Sequence, residues 1–379
     1  MRTNPVLDGL GTYPIAVIQE RARAMRAAGE PLIDFSIGDP REPTPEFIRE
    51  ALRTAVPEVS QYPTTAGLAE LRQAVAGYVS RRFGVEVDPQ SQVLPVAGSK
   101  EAIFSTPLAF VDRGRGDTVV WATPGYPIYE RGALLAGAEG HHVLLTGDFV
   151  LRASDIPEEI LDRAALVWTC SPHNPTGSVT SRDDLAGLHA AALVSGALLC
   201  ADECYADLYE DDPPPSVLQV AAPSLEGVLS YLSLSKRSGM TGYRSGVVVG
   251  DAVAIALLRA LRTSTGTASP EFVQRAAIAA WGDDDHVTIR RETFARKRSV
   301  LRKAFEALGI EVAASRAGLY CWVRVEDDLA AAERLLAHGV VVSPGRAFGP
   351  GGEGFLRLAL VPTVEECEQA VEVLERALG

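Results

Sequence analysis

Lysine is scarce in this chain of 379 residues. Of 36 basic residues only four are lysines (Lys100, Lys236, Lys297 and Lys303), and the others are arginines. Chemistry that requires a primary amine therefore has few places to occur. Cysteine is also sparse: five residues, at positions 170, 200, 204, 321 and 367, with no CxxC pair. That argues against a zinc site or a disulfide framework, so no metal is expected and reduced thiols in a cytoplasmic protein are. Basic charge is outnumbered by 49 acidic residues, giving a net charge of −13 and a pI near 5.0. Nucleic acid and anionic membranes are therefore poor partners. Long apolar runs are missing. The chargeless stretches Ala164–Ser181 and Leu185–Ala201 are interrupted by Pro172, His173, Asn174 and Pro175, and by His189, Ser195 and Gly196, so neither reads as a membrane span. The opening MRTNPVLDGLGTYPI has no apolar stretch of the kind a signal peptide needs. No GxGxxG follows an early strand, which argues against a plain dinucleotide-binding domain.

What is present is an alternation. A helical stretch from Ala16 to Ala28 stops at Gly29 and Pro31. From about residue 90, short apolar runs at Val93–Ala97, Thr118–Ala122, Leu166–Cys170, Ala197–Ala201, Val228–Ser233 and Gly246–Gly250 alternate with amphipathic segments. These read as buried parallel strands joined by helices, an α/β sheet with both faces covered. Beyond residue 265 a long helical pattern, Pro270 to Leu308, carries the cationic stretch IRRETFARKRSVLRKAF. Strand-like runs follow at Tyr320–Val325, Gly339–Ser343 and Phe355–Leu360, then a helix from Val364 to Leu378. The expected division is a larger unit over 36–264 and a smaller α+β unit over 265–379, joined by the N-terminal segment 1–35.

Ligands of α/β sheets sit beyond the carboxyl ends of the strands, so the residues after each run carry the functional reading. Gly98-Ser99-Lys100 opens a helix whose exposed N–H groups suit either a phosphate or a simple cap. Tyr126, between Gly125 and Pro127, is placed to stack on a flat ring or to pack in an ordinary turn. Asn174 is held in the rigid loop Ser171–Gly177, where its amide could donate to a ligand oxygen; His173 reads as a loop residue. Asp202 directly follows a buried strand and needs a partner, either a cationic ring nitrogen or backbone N–H groups. Tyr205 is close enough in sequence to reach a neighbouring phenolic oxygen. Lys236 lies at a strand end among Ser233, Ser235 and Arg244, where desolvation would lower its pKa and make it a nucleophile, and where Arg244 could hold a phosphate. Lys297 and Lys303, on the cationic helix, are expected to be solvated; Lys100 is the competitor. A phosphate, a flat ring, a ring nitrogen, a phenolic oxygen and an aldehyde together describe pyridoxal 5′-phosphate.

The Asn-Pro-Thr-Gly loop, the Asp-Glu-Cys-Tyr segment and the Ser-Leu-Ser-Lys stretch resemble those of fold type I pyridoxal-phosphate enzymes, specifically the class I/II aminotransferases. The resemblance covers nearly the whole chain. It implies a mainly parallel seven-stranded sheet between helices and a smaller α+β domain. Lys236 would hold the cofactor aldehyde and move the proton during catalysis, and Asp202 would keep the ring nitrogen protonated. Asn174 and Tyr205 would bond the phenolic oxygen and Tyr126 would stack on the ring. Gly98, Ser99, Lys100, Ser233 and Arg244 would hold the phosphate. Gly38 (in Phe35-Ser36-Ile37-Gly38-Asp39-Pro40), Asn174 and Tyr13 would lie at the substrate, and Arg357 would clamp its α-carboxylate. Tyr62, in Gln61-Tyr62-Pro63, would reach the phosphate of a partner subunit, which implies a homodimer with shared active sites. Gly98–Phe104, Pro107–Phe110 and the Tyr13-Pro14 opening are similar to the succinyldiaminopimelate aminotransferases. That subgroup implies N-succinyl-LL-2,6-diaminopimelate and 2-oxoglutarate as the expected substrates. Aspartate, LL-diaminopimelate or aromatic amino acids, or a β-lyase reaction on the same fold, are the alternatives.

Overall fold

In the computed structural model, which describes residues 1–10 and 16–379, a seven-stranded sheet forms the centre of the molecule. After a short β1 (Ile33–Asp34) come β2 (Val93–Val96), β3 (Thr118–Thr123), β4 (Glu139–Leu144), β5 (Ala164–Cys170), β6 (Leu198–Asp202), β7 (Val228–Ser233) and β8 (Gly246–Gly250). Their order is β2-β8-β7-β6-β5-β3-β4. Alternate residues of these strands enter two different cores. Val120, Leu199 and Leu232 face one layer, whereas Val119, Cys200 and Tyr231 face the other. Burial on both faces is what makes the strands read as continuous apolar runs.

The sheet differs from the sequence reading in two places. β8 runs antiparallel to both β2 and β7. The chain between β7 and β8 contains only the short helix Leu234–Arg237, and without a crossover it must return antiparallel. The edge strand β4 was not foreseen: its sequence EGHHVL is polar and mostly exposed, so it carries no apolar run.

Helices cover the sheet and are bounded by local signals. The helix Arg182–Ser195 begins where the Ser181 hydroxyl accepts from the Asp184 amide at 3.0 Å, and ends at Gly196 with φ of 75°. The expected helix over 270–308 is two helices, Glu271–Gly282 and Asp285–Ala307. The break falls at Asp283, whose carboxylate takes the His286 amide at 3.0 Å. The first of the pair packs on Glu46–Thr54 and Ala69–Phe83, burying Ala276, Ala277, Ala280 and Trp281 in the larger core.

A second sheet, antiparallel, is made of β9 (Val312–Ala314), β10 (Tyr320–Arg324), β12 (Ser343–Pro344) and β13 (Phe355–Ala359). β1 pairs in parallel with β11 (Val340–Val341). The helix Ala16–Ala27 buries Ile18 and Ala22 in the core of this second layer. Lys303 is exposed as expected, but Lys297 is fully buried and ion-paired with Glu42. No helix among the described residues is long and apolar enough to cross a membrane, and no group of His, Cys, Asp and Glu among them could hold a metal ion.

Candidate active site

The carboxyl ends of β2, β3, β5, β6 and β7 open on one edge of the large sheet, as their orientation requires. A cavity of about 690 Å³ lies there, with Gly38, Tyr320, Phe348 and Arg357 contributing to its lining from outside the large sheet. Among the sequence-derived residues it brings together Gly38, Ser99, Lys100, Tyr126, Asn174, Asp202, Tyr205, Ser233, Lys236, Arg244 and Arg357. Gly98 stands directly behind Ser99. Tyr13 lies outside the described residues.

Lys236 occupies the one-turn helix after β7, where the Ser233 hydroxyl accepts from the Ser235 amide at 3.1 Å. Burial lowers its pKa from 10.5 to about 8, against partial opposition from Cys204 and Asp39. Its Nζ donates to the carbonyl of Gly38. Asp202, at the end of β6, is 3% exposed, and burial raises its pKa. One carboxylate oxygen accepts from the Tyr129 hydroxyl at 2.9 Å and the other from the Cys204 thiol at 2.6 Å. No cation pairs with Asp202 among the described residues, so the charged carboxylate lacks the partner that burial demands.

Gly98 precedes the helix Ser99–Ser105 with φ of 87°. A Cβ there would collide with the guanidinium of Arg244, so a glycine is what lets that guanidinium approach the loop. Arg244 itself has φ of 55°, uncommon for a residue with a side chain. Its Nη1 donates to the Thr241 carbonyl at 2.9 Å. Lys100 is exposed at the cavity rim. Tyr126 lines the cavity edge-on to Tyr129, with ring centroids 5.9 Å apart.

Arg357 is buried on β13. It donates to the Ser36 carbonyl at 2.5 Å and to Asn174 Oδ1 at 3.2 Å, and its Nε has no hydrogen-bond partner. With Oδ1 accepting from Arg357, the Asn174 amide nitrogen remains to donate into the cavity. The Arg357 guanidinium is sandwiched between the Tyr320 and Phe348 rings, at 4.6 and 4.4 Å. Among the described residues no carboxylate pairs with it. A buried guanidinium in that state is a receptor for an anion.

Several lining residues carry no local sequence signal. Tyr320 shares a 2.8 Å hydrogen bond with Tyr205, and Gly38 admits it closely, since a Cβ there would fall 2.6 Å from the Tyr320 hydroxyl. Phe348 and Cys204, which also line the cavity, were not singled out, nor was Tyr129, which lies behind the cavity against Asp202. Tyr129 has a sequence clue only in hindsight, as a polar aromatic one turn beyond Tyr126. Tyr62 is fully exposed, at 101%, and does not reach the cavity of its own chain.

A half-buried amine, a buried carboxylate lacking a cation, hydroxyl groups at a helix start and an unpaired buried guanidinium define a site for amino-group chemistry on an aldehyde cofactor. The comparisons agree. Residues 30–374 match the family of class I and II aminotransferases, and the chain belongs to that family, whose enzymes use pyridoxal 5′-phosphate. An LL-diaminopimelate aminotransferase of Desulforudis audaxviator is 37% identical over 383 residues, covering 98% of this chain and 97% of that protein. The 4-dedimethylamino-4-oxo-anhydrotetracycline transaminase of Streptomyces rimosus is 40% identical over 350 residues, covering 91% and 94%. A solved aminotransferase from Neisseria meningitidis superposes with a TM-score of 0.92 at 36% identity, covering 99% of this chain and all of that one. The cofactor fits the residues present: Asp202 lacks the cation that a protonated ring nitrogen supplies, and the space at Gly98 is kept open beside Arg244.

Proposed function

We propose that this aminotransferase moves an amino group between LL-2,6-diaminopimelate and 2-oxoglutarate, so that the keto counterpart of the diamino acid and glutamate form in one direction and are consumed in the other. The observation that carries the reading is the convergence of Lys236, Asp202 and Arg357 on one cavity. The cofactor, when bound, supplies the ring that accepts electrons from the reacting carbon. Lys236 holds its aldehyde and, once released, moves a proton from the substrate Cα; a pKa near 8 leaves enough neutral amine to do so. Asp202 keeps the ring nitrogen protonated. Asn174 and Tyr205 donate to the phenolic oxygen, Tyr126 stacks on the ring, and Ser99, Lys100, Ser233 and Arg244 hold the phosphate behind Gly98. Arg357 takes the substrate α-carboxylate, aligned by Ser36 and Asn174. Tyr62 completes the phosphate site of a second copy, so the working unit is a homodimer.

The relatives' names favour the free diamino acid over its N-succinyl form, which the subgroup likeness had implied. The cavity also offers a carboxylate, Asp39, to a distal ammonium. A second reading rests on the 40% identity to a transaminase named for a tetracycline ketone: the acceptor would then be a bulky cyclic ketone handled by the same residues. The test is a panel of single half-reactions. LL-diaminopimelate should bleach the cofactor band faster than its N-succinyl derivative, aspartate or phenylalanine, and 2-oxoglutarate should restore it. Faster bleaching by the N-succinyl derivative would overturn the substrate assignment. Restoration by a polycyclic ketone but not by 2-oxoglutarate would favour the second reading. Ammonia and pyruvate released from cysteine without any keto acid would replace transfer by β-elimination.

A further inference from the structure

The helix Asp285–Ala307 carries a lysine that the reaction does not use. Lys297 is 0% exposed. Its ammonium has three protons and finds three acceptors: the carboxylate of Glu42, and the main-chain carbonyls of Leu360 at 3.2 Å and Val361 at 3.4 Å. Burying an ammonium is costly, and a close counter-charge with every proton satisfied is the arrangement that offsets it.

The acceptors come from the two walls of the substrate site. Glu42 closes the segment that begins at Ser36 and contains Gly38, whose carbonyl takes Lys236 Nζ. Leu360 and Val361 continue the chain directly from β13, the strand that bears Arg357. Arg290, two turns earlier on the same helix, donates its Nε to the main-chain carbonyl of Lys236 at 3.3 Å. The Gly38 segment is fastened at each end, since Ser36 takes Arg357 and the Thr44 hydroxyl donates to the Gly239 carbonyl at 2.6 Å. Glu42 is where it meets the helix.

We propose that Lys297 is a positioning residue that fixes the separation between the Gly38 segment and the Arg357 strand, and so the width of the substrate-carboxylate pocket. A leucine or methionine could fill the same volume, but only a charge with directed protons sets the spacing of three chain segments. This rests on the reading of Arg357 as the carboxylate clamp.

The experiment uses cofactor-loaded protein and maleate, a dicarboxylate with no amino group to react. Maleate affinity is measured by calorimetry and cofactor affinity by equilibrium dialysis. Glu42→Gln, which keeps the shape and loses the charge, should weaken maleate binding and raise KM for the amino donor by about tenfold, with kcat and cofactor affinity within about twofold. The double variant Glu42→Leu with Lys297→Met removes the buried ammonium and its half-buried counter-charge together. It should melt no lower than the parent, yet still bind maleate weakly. A stable double variant with parental maleate affinity would overturn the proposal, because the pair would then matter for folding alone. Equal losses of kcat and cofactor affinity would overturn it too, by moving the effect to Lys236. Parent protein that loads cofactor but takes no maleate removes the Arg357 reading itself.

Discussion

At the residue scale, burial does the tuning. The Lys236 amine has no bonded carboxylate among the described residues, and desolvation brings its pKa to about 8. Cofactor-free protein should therefore take up the aldehyde at a rate that climbs with pH up to about 8 and levels off above, as the neutral amine becomes the dominant form. A stopped-flow pH profile with its inflection near 10 would contradict this. Arg357→Leu removes an anion receptor already desolvated in the free protein. We expect kcat/KM for every amino donor to fall about a hundredfold or more, with the cofactor still bound, since charge-assisted hydrogen bonds contribute about 1.5–3 kcal/mol each. Steady-state kinetics alongside the visible spectrum checks both halves of that statement.

The residue scale also separates what was legible from what was not. Lys236 stood out because few lysines compete with it and small polar residues surround it at a strand end. Lys297 was misread for a physical reason. The helix Asp285–Ala307 buries Arg290, Phe294, Lys297, Arg298 and Leu301 on one face, so its core face is itself cationic. The carboxylates that pair with it, Glu42 and Glu210, come from distant segments and leave no local trace.

At the element scale, the strands deliver the chemistry. Asp202 ends β6, Lys236 and Asn174 follow β7 and β5, and the parallel course of those strands brings them to one edge. That much could be read from apolar runs and the polar clusters that end them. Tyr320, Phe348 and Arg357 come from the second layer, and only packing of that layer over the sheet edge places them. β4 escaped notice because a polar edge strand lacks the pattern a buried one shows. Behind Asp202, Glu203 ties β6 to β7 and to the helix Val217–Ala221, accepting from Ser230 and Ser216 at 2.7 Å and from the Val217 amide at 2.8 Å. Burial raises its pKa from 4.5 to about 7. A carboxyl whose folded pKa is raised stabilises the fold fully below its unfolded pKa, and that contribution is lost as pH rises through the folded value. Chemical unfolding should show Glu203→Gln gaining on the parent between pH 4.5 and 7, by about 3 kcal/mol at the upper end. A difference independent of pH would mean that Glu203 is already ionised at low pH.

At the scale of the whole molecule, a single chain leaves Tyr62 fully exposed and outside the lining of its own cavity. In the proposed dimer this residue serves the neighbouring phosphate. Tyr62→Ala should then weaken cofactor binding about tenfold, as the loss of one hydrogen bond to a charged group does, while leaving the melting temperature unchanged. Unaltered cofactor affinity, with the protein sedimenting as a monomer at assay concentration, would contradict the shared site. The cavity is lined from the edge of the large sheet and from the second layer, whose Trp322 and Phe355 share a core with the large sheet. The proposed substrate contacts come from both, which is why motifs after strands disclosed the proposed cofactor side more fully than the substrate side.

The most direct test of the central claim is one turnover without an acceptor. Cofactor-loaded protein is mixed with an amino donor, LL-diaminopimelate first, and the visible band is followed beside Lys236→Ala. The account predicts rapid bleaching by the parent, recovery on adding 2-oxoglutarate, and a rate at least about a thousandfold lower in the variant, the size expected for a lost acid–base group. Folded parent protein that binds the cofactor yet never bleaches with any amino acid, or a variant that bleaches as fast as the parent, would contradict it.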